Sequence, residues 1–338
     1  MYSNLTIVLL LKNRAEFNER FINYFNQKNY NHRLIISDGS KKKLSSSLLK
    51  KIKKNKFIQY LKFREDKSYE LFYKKVFETV KYVKSKYLVF AANDDFFIYE
   101  NLNKCLTYLQ SNKNFIGSGG TMIGFKINKI NKKNKLTNMY YLYNYIKLDH
   151  KNNKKRFDSF IQNFSDLPRN CIMKRDVLIK NYQISSSNFE NNIEFKDHFS
   201  ALFNVISGKI KIFKYPIILH QDHNKNEASN RAKILKSIFQ DKNFINDLIK
   251  FDFILSKKLK FKKNYVINKY YNYVLSNLIN SLNIINEPSI KQIKSIMFKK
   301  IKRKIFNKLS SKKIFDKKVS FNRITEDAIK FIENNIIN

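Results

Sequence analysis

The sequence predicts an α/β fold, a mixed and mainly parallel sheet flanked by helices, followed by a basic all-α C-terminal region. Three observations predict it. Short, almost wholly apolar runs punctuate roughly the first hundred residues, as strands buried on both faces require. Between them apolar residues return at three- and four-residue spacing, the pattern of helices that bury one face. Beyond about Asn224 turn residues thin out while lysines accumulate, which suits helices better than a sheet.

Taken in order, Leu5 to Leu11 is the first strand, and Phe17, Phe21, Ile22 and Phe25 line the helix after it. Leu34, Ile35 and Ile36 form a second strand that ends at Asp38, Gly39 and Ser40. The serines at 45 to 47 can cap a short helix carrying Leu48, Leu49 and Ile52. Phe57 to Phe63 is the third strand, and Phe72, Val76, Val80 and Val83 mark a longer helix. Tyr87 to Ala91 is the fourth strand and delivers the chain to Asn93, Asp94 and Asp95. Leu102, Cys105, Leu106 and Leu109 belong to the next helix. Three of only six glycines then fall together, at 117, 119 and 120, so the backbone there needs conformations or close approaches that side chains forbid. Lys126 to Lys135 reads as a surface excursion. Regular structure resumes between about Arg156 and His223, with a helix face of Phe195, Phe199, Leu202 and Ile206, then a strand or two through Ile210 to Phe213 and Ile217 to Leu219. Farther on, Ile290, Ile293, Met297, Ile301 and Ile305 make an apolar stripe among lysines with no acid between them. Such a helix either lies on an anionic bilayer surface or packs with a solvated basic face.

At 338 residues, 43% apolar and 15% aromatic, the chain can build one large domain or two smaller ones. A formal charge of +40 is the footprint of a phosphate-backbone binder. Two things argue against nucleic acid as the partner. Lys, Asn, Ile, Phe and Tyr, all with A/T-rich codons, are abundant while Gly, Pro and Trp are scarce, and no aromatic-interleaved basic groove or recognition helix is visible. The charge still favours an anionic membrane surface or anionic substrates. Cys105 and Cys171 fit no metal spacing and no disulfide framework, which places the protein in a reducing, cytoplasmic compartment as ordinary buried thiols. The apolar run at the N-terminus is too short for a secretory core, and no stretch approaches the roughly 18 apolar residues of a span, so membrane association is expected to be peripheral.

The chemistry is expected where the fourth strand stops at adjacent carboxylates. In open α/β sheets ligands bind beyond the carboxyl ends of strands, and a carboxylate there can hold a divalent cation that grips a diphosphate. The alternative is a solvated turn whose Asp caps the following helix. A second constellation is His220-Gln221-Asp222-His223, two of five histidines three apart beside an acid: metal ligands, or solvated loop histidines. A third is Glu194-Phe195-Lys196-Asp197-His198, where a helical wheel sets Asp197 nearly opposite the apolar stripe, facing a cleft or solvent.

Three segments together carry a resemblance: Thr6-Ile7-Val8-Leu9-Leu10-Leu11-Lys12-Asn13-Arg14, Ile35-Ile36-Ser37-Asp38-Gly39-Ser40 and Asn93-Asp94-Asp95-Phe96. In this order and spacing, over roughly residues 4 to 225, the chain resembles the family 2 type of glycosyltransferase with the Rossmann-like GT-A fold, in the branch whose acidic motif reads like Ala-Asp-Asp-Asp-Phe. The resemblance implies a GT-A domain over residues 1–225, with a donor half of about 1–125 and an acceptor half of about 126–225, ahead of a basic helical region over 226–338. It implies that Arg14 lines the donor site, that Asp38 contacts the base or ribose, that Asn93 and Asp94 belong to the nucleotide site, and that Asp95 coordinates Mn²⁺ or Mg²⁺ on a sugar-nucleotide diphosphate. Asn93 stands where such enzymes have their first Asp. His223 foremost, then His220, are implied as further metal ligands, and Asp197, or Glu194 in its place, as the general base. Leu167 to Arg175 resembles the border of the acceptor pocket, with Arg175 as a contact for an anionic group. The expected function is a metal-dependent, inverting transfer of sugar from a nucleotide-sugar donor to a surface polysaccharide or lipid-linked glycan, in the cytoplasm and peripheral to the inner face of the membrane. The alternatives are an inactive transferase-like scaffold, at which Asn93 hints, and a basic nucleic-acid-binding protein.

Overall fold

The computed structural model describes residues 4–27, 31–130, 133–143, 145–162, 164–165, 167–189, 193–223, 244–262, 264–270, 272–273 and 323–334. The stripe from Ile290 to Ile305 lies outside the described residues. Among the described residues nine strands form one mixed sheet: β1 (Leu5–Leu11), β2 (Arg33–Asp38), β3 (Ile58–Lys62), β4 (Tyr87–Ala91), β5 (Asp95–Phe97), β6 (Phe115–Ile130), β7 (Lys133–Tyr141), β8 (Ile172–Lys174) and β9 (Lys209–Gln221). Their order is β3-β2-β1-β4-β8-β6-β9-β5, with β7 on the free side of β6. β1 to β4 are mutually parallel, as apolar strands joined through covering helices must be. β8 and β5 run against their neighbours.

The helices are α1 (Ala15–Gln27), α2 (Ser46–Lys54), α3 (Tyr69–Tyr82), α4 (Tyr99–Ser111), α5 (Asn153–Gln162), α6 (Arg175–Ser187), α7 (Ile193–Ser207), α8 (Phe244–Leu259) and α9 (Arg323–Asn334). Ser45 caps α2 and Ser68 caps α3 by accepting the amides of Leu48 and Leu71. The apolar faces of α1 and α3 meet the buried strands in one continuous core. The same core takes in α8, whose Phe251 packs on Phe189 and Phe199. It also takes in α9, whose Phe331 lies 4.9 Å from the ring of Tyr24 and 6.4 Å from that of Phe96. No described helix is long and apolar enough to cross a membrane. Cys105 and Cys171 are free, buried thiols.

The glycine cluster serves close approach, since no glycine has positive φ. A Cβ on Gly120 would sit 2.2 Å from the Tyr215 carbonyl oxygen, and one on Gly117 would sit 2.2 Å from Met173 Sδ. β6 can therefore lie between β8 and β9 only without side chains at these points. Gly120→Ala meets backbone, which cannot swing away, and is expected to lower unfolding stability by about 1–3 kcal/mol in urea titration. Gly117→Ala meets a flexible thioether and is expected to cost less.

One expectation is corrected and one open alternative is settled. Lys126 to Lys135 is no irregular excursion: β6 runs on to Ile130 and pairs with β7, Ile127 opposite Leu136. Its Lys/Asn-rich composition hides an alternation in which Phe125 is buried and Ile127 and Leu136 pack against the core. Of the strand or two expected from Ile210 to Leu219 there is one, β9, although Pro216 interrupts its donors. Pro216 sits opposite Thr121, where the β6 register shifts on either side, so no ladder bond depends on its missing N–H.

His32, at the start of the buried edge of β2, gives a further testable consequence. It is 2% exposed, its Nε2 is 3.1 Å from Asn103 Oδ1, and its ring packs on Tyr99. Burial lowers its pKa to about 4, against a smaller opposing effect of the Asn103 hydrogen bond. The folded value lies below the unfolded one of about 6.5, so between these the unfolded chain binds the extra proton. The contribution of neutral His32 is complete above pH 6.5 and is lost as pH falls toward 4. Stability is expected to be lower by roughly 2 kcal/mol at pH 5 than at pH 7 on this account. In His32→Gln that part of the pH dependence should vanish, measured as the difference between the two proteins in urea titrations at both pH values.

Candidate active site

The parallel register sets the carboxyl ends of three strands side by side, with Leu11 opposite Asp38 and Leu9 opposite Ala91. The segments after β1, β2 and β4 consequently meet at one edge, where open α/β sheets take their ligands. After β1 the chain turns sharply: Asn13 and Arg14 both have left-handed backbone, φ 61° and 57°. Two such residues in succession are strained and must be held. Asn13 N–H donates to Ser40 Oγ (2.7 Å), the Asn13 carbonyl accepts from Asn18 (3.0 Å), and the Arg14 carbonyl accepts the amides of Phe17 and Asn18 to begin α1. The turn aims Arg14 at the acids, and its Nη1 reaches Asp94 Oδ2 at 3.1 Å.

Asp94 and Asp95 are almost fully buried, and each meets a histidine from the end of β9. The antiparallel pairing of β5 with β9 sets Asp95 opposite His220, with Oδ1 2.7 Å from Nδ1. Just past the strand, His223 Nε2 lies 3.0 Å from Asp94 Oδ2 and its ring packs on Phe17. Burial opposes the ionised form of Asp94, but the His223 hydrogen bond and the charges of His220 and Arg14 outweigh it and hold its pKa below the ordinary value. Asp95 goes the other way: burial pushes its pKa up more than His220 pulls it down. For His220, burial works against the imidazolium, yet the hydrogen bond to Asp95 and the charges of Asp95, Asp94 and Asp222 carry it up to about 9.

One ligand atom each from Asp94, Asp95 and His220 lies within 4.8 Å of the others, the one such grouping among the described residues. Asp94 Oδ1 is buried with no hydrogen-bond partner. An orphaned carboxylate oxygen beside a second acid and an imidazole is a donor set that fits a divalent cation. Asn93, also buried, donates to Asn18 Oδ1 at 2.8 Å. Behind Asp94, Arg20 is held between the rings of Phe17 and Phe96, and burial lowers its pKa to about 10 despite the charge of Asp94.

Beside the acids opens a cleft of about 480 Å³, lined by Lys12 and Arg14 after β1, Asn93 and Asp95 after β4, and Arg169 and Asp197. Asp197 thus takes the cleft side of its helix. Its Oδ2 is 2.9 Å from Arg169 Nη1, and its Oδ1 accepts a hydrogen bond from the Tyr73 hydroxyl. Glu194 stands in the first turn of α7, and its side chain lies outside the described residues.

Asp38 is not among the residues lining this cleft. Its carboxylate is buried, accepting from the Ser40 amide (2.8 Å) and the Tyr60 hydroxyl (2.6 Å), with the Lys62 ammonium 3.9 Å away. Arg175 lies elsewhere: β8 runs antiparallel to β4, so Lys174 pairs with Tyr87 at the start of β4, the end opposite the acids. The Arg175 side chain meets Asp176 and the Lys81 carbonyl. The same antiparallel course carries Arg169, six residues earlier, to the cleft. Arg169 and Tyr73 are the residues that sequence reasoning passed over. Arg169 stood inside a segment already singled out, whereas the only sign of Tyr73 is a tyrosine in the helical register of buried residues.

A mainly parallel, helix-flanked sheet of this topology is a glycosyltransferase fold. Among solved structures the chain is similar to residues 1–349 of S. aureus TarS, at 10% identity and a TM-score of 0.54, covering 86% of this chain and 77% of that one. A longer S. aureus TarS structure matches at 10% identity and a TM-score of 0.48, over 78% of this chain and 44% of that one. The 1–349 fragment in complex with UDP-GlcNAc matches at 12% identity and a TM-score of 0.46, over 83% and 81%. No protein-family model matches the chain, and no curated protein does.

Proposed function

We propose that this protein is a metal-dependent, inverting glycosyltransferase that uses a nucleotide-sugar donor. The observation that carries the reading is the convergence of Asp94, Asp95 and His220 at the strand ends, with one Asp94 oxygen left unpartnered, where Asp95 lines the same cleft as Asp197. A Mn²⁺ or Mg²⁺ ion held by Asp95 with Asp94 and His220 would neutralise charge developing on the departing diphosphate. Arg14 and Lys12, on the cleft wall beside the acids, add fixed positive charge for the phosphates. Asn93 and its partner Asn18 shape the donor side. Asp38 acts indirectly, fixing Ser40, which in turn holds the strained turn at Asn13. His223 orients Asp94 through its hydrogen bond.

In the same cleft Asp197 takes the proton from the acceptor hydroxyl as that oxygen attacks the anomeric carbon. Attack from the side away from the diphosphate inverts the sugar. The acceptor class is a surface polysaccharide or lipid-linked glycan, met at the inner face of a membrane to which the strongly basic chain is drawn.

The test is calorimetric titration with UDP, GDP, CDP and dTDP and their common sugar conjugates, with and without Mn²⁺. Binding of one nucleotide class that requires Mn²⁺ is expected. A folded protein that binds none of them, with or without the ion, overturns the reading.

A further inference from the structure

Asp197 presents a problem of orientation. A general base must hold one lone pair on a substrate proton while the rest of the carboxylate is prevented from rotating. It projects from α7 at the cleft wall, where the Arg169 fork secures Oδ2. Arg169 itself lines the cleft, so a substrate can draw it away. The other oxygen is held from behind by the Tyr73 hydroxyl. Tyr73 is 0% exposed and lines no part of the cleft. Its ring is locked between Phe72 and Tyr182, with the Lys196 ammonium 5.4 Å over its face. That ammonium is itself fixed by the Ser185 and Asn188 carbonyls. A phenol buried for its packing alone needs no carboxylate. A donor aimed from outside the cleft at a carboxylate on its wall is a built support.

We propose that Tyr73 is a positioning residue for the general base: its buried hydroxyl fixes the rotation of the Asp197 carboxylate and favours the ionised form. The inference rests on Asp197 acting as the base. A hydrogen bond donated to a carboxylate stabilises its charged form, so removing the donor makes the carboxylate protonate at higher pH. Among the described residues, the charged or titratable groups that face Asp197 include Arg169 on the turn before β8 and Tyr182 on α6, with Lys196 one residue before it on α7. None of them changes in Tyr73→Phe, which also keeps the ring.

The experiment follows two readouts in the full chain. The first is ¹³C NMR titration of aspartate carboxyls, with the Asp197 resonance assigned by its absence in Asp197→Asn. The second is the pH profile of turnover with whichever sugar nucleotide the calorimetric panel selects. In Tyr73→Phe the Asp197 titration and the acid limb of kcat are expected to move together to higher pH. At the plateau kcat should fall about 10- to 100-fold with the KM for donor unchanged. Tyr87→Phe removes a comparable buried hydroxyl, bonded to the Leu109 carbonyl at the far end of β4, and is expected to leave both readouts in place. An unmoved Asp197 titration and an unchanged kcat in Tyr73→Phe, with Asp197→Asn inactive, overturn this inference and leave the base assignment standing. Full turnover in Asp197→Asn overturns both.

Discussion

Asp95→Ala is expected to abolish Mn²⁺-dependent nucleotide binding and to lower kcat/KM by roughly 10³-fold, the equivalent of about 4 kcal/mol of transition-state stabilisation. The size follows from what the side chain holds. Asp95 is 4% exposed, one oxygen is engaged by His220 and the other by the Ala92 amide, so the carboxylate is fixed before any ligand arrives. Its loss removes a donor from a cluster of three and frees His220 to turn toward Asp94. The fold should survive, because Phe96 and Phe97 anchor β5 in the core on their own. The check pairs calorimetry with far-UV circular dichroism: a folded variant that still binds nucleotide only with Mn²⁺ removes Asp95 from the metal site.

Asp197→Asn is expected to lower kcat by about 10² to 10⁴ while nucleotide binding stays within a few-fold of the parent. The asparagine is nearly isosteric and can still accept from Tyr73, so cleft shape is kept while the proton acceptor and the charge facing Arg169 are lost. Steady-state kinetics with calorimetry in parallel separates the two effects. Weakened nucleotide binding with normal turnover at saturation would instead place Asp197 on the donor side.

The order of strands and helices in the front of the chain could be read because each element buries its own apolar stripe. Tyr87 to Ala91, closed abruptly by acids, announced both a strand and the end at which the acids gather. The partners of those acids could not be read. That His220 meets Asp95 depends on a register between β5 and β9, 125 residues apart in sequence, and nothing local encodes it. The direction of Asp197 was open for a similar reason: a helical wheel separates apolar from polar sides and does not say whether the polar side looks into water or across a cleft. Arg175 and Arg169 were distinguishable only once β8 was seen to run against β4. The hairpin of β6 and β7 was hidden by lysine and asparagine, which say more about solvent exposure than about backbone geometry.

The packing of α9 behind the acidic strand sets a schedule for the newborn chain. Phe331 touches both Tyr24 and Phe96, while the Tyr24 hydroxyl donates to the Phe97 carbonyl, so residues of α9 complete the backing of a strand made more than two hundred residues earlier. A ribosome delivers the strand long before it delivers the helix. Until α9 has been made, β5 lacks its outer cover. The edge that carries the proposed ligands therefore reaches its finished form only after α9 is made, and a chain cut short upstream of residue 323 has every proposed ligand present and their scaffold unfinished.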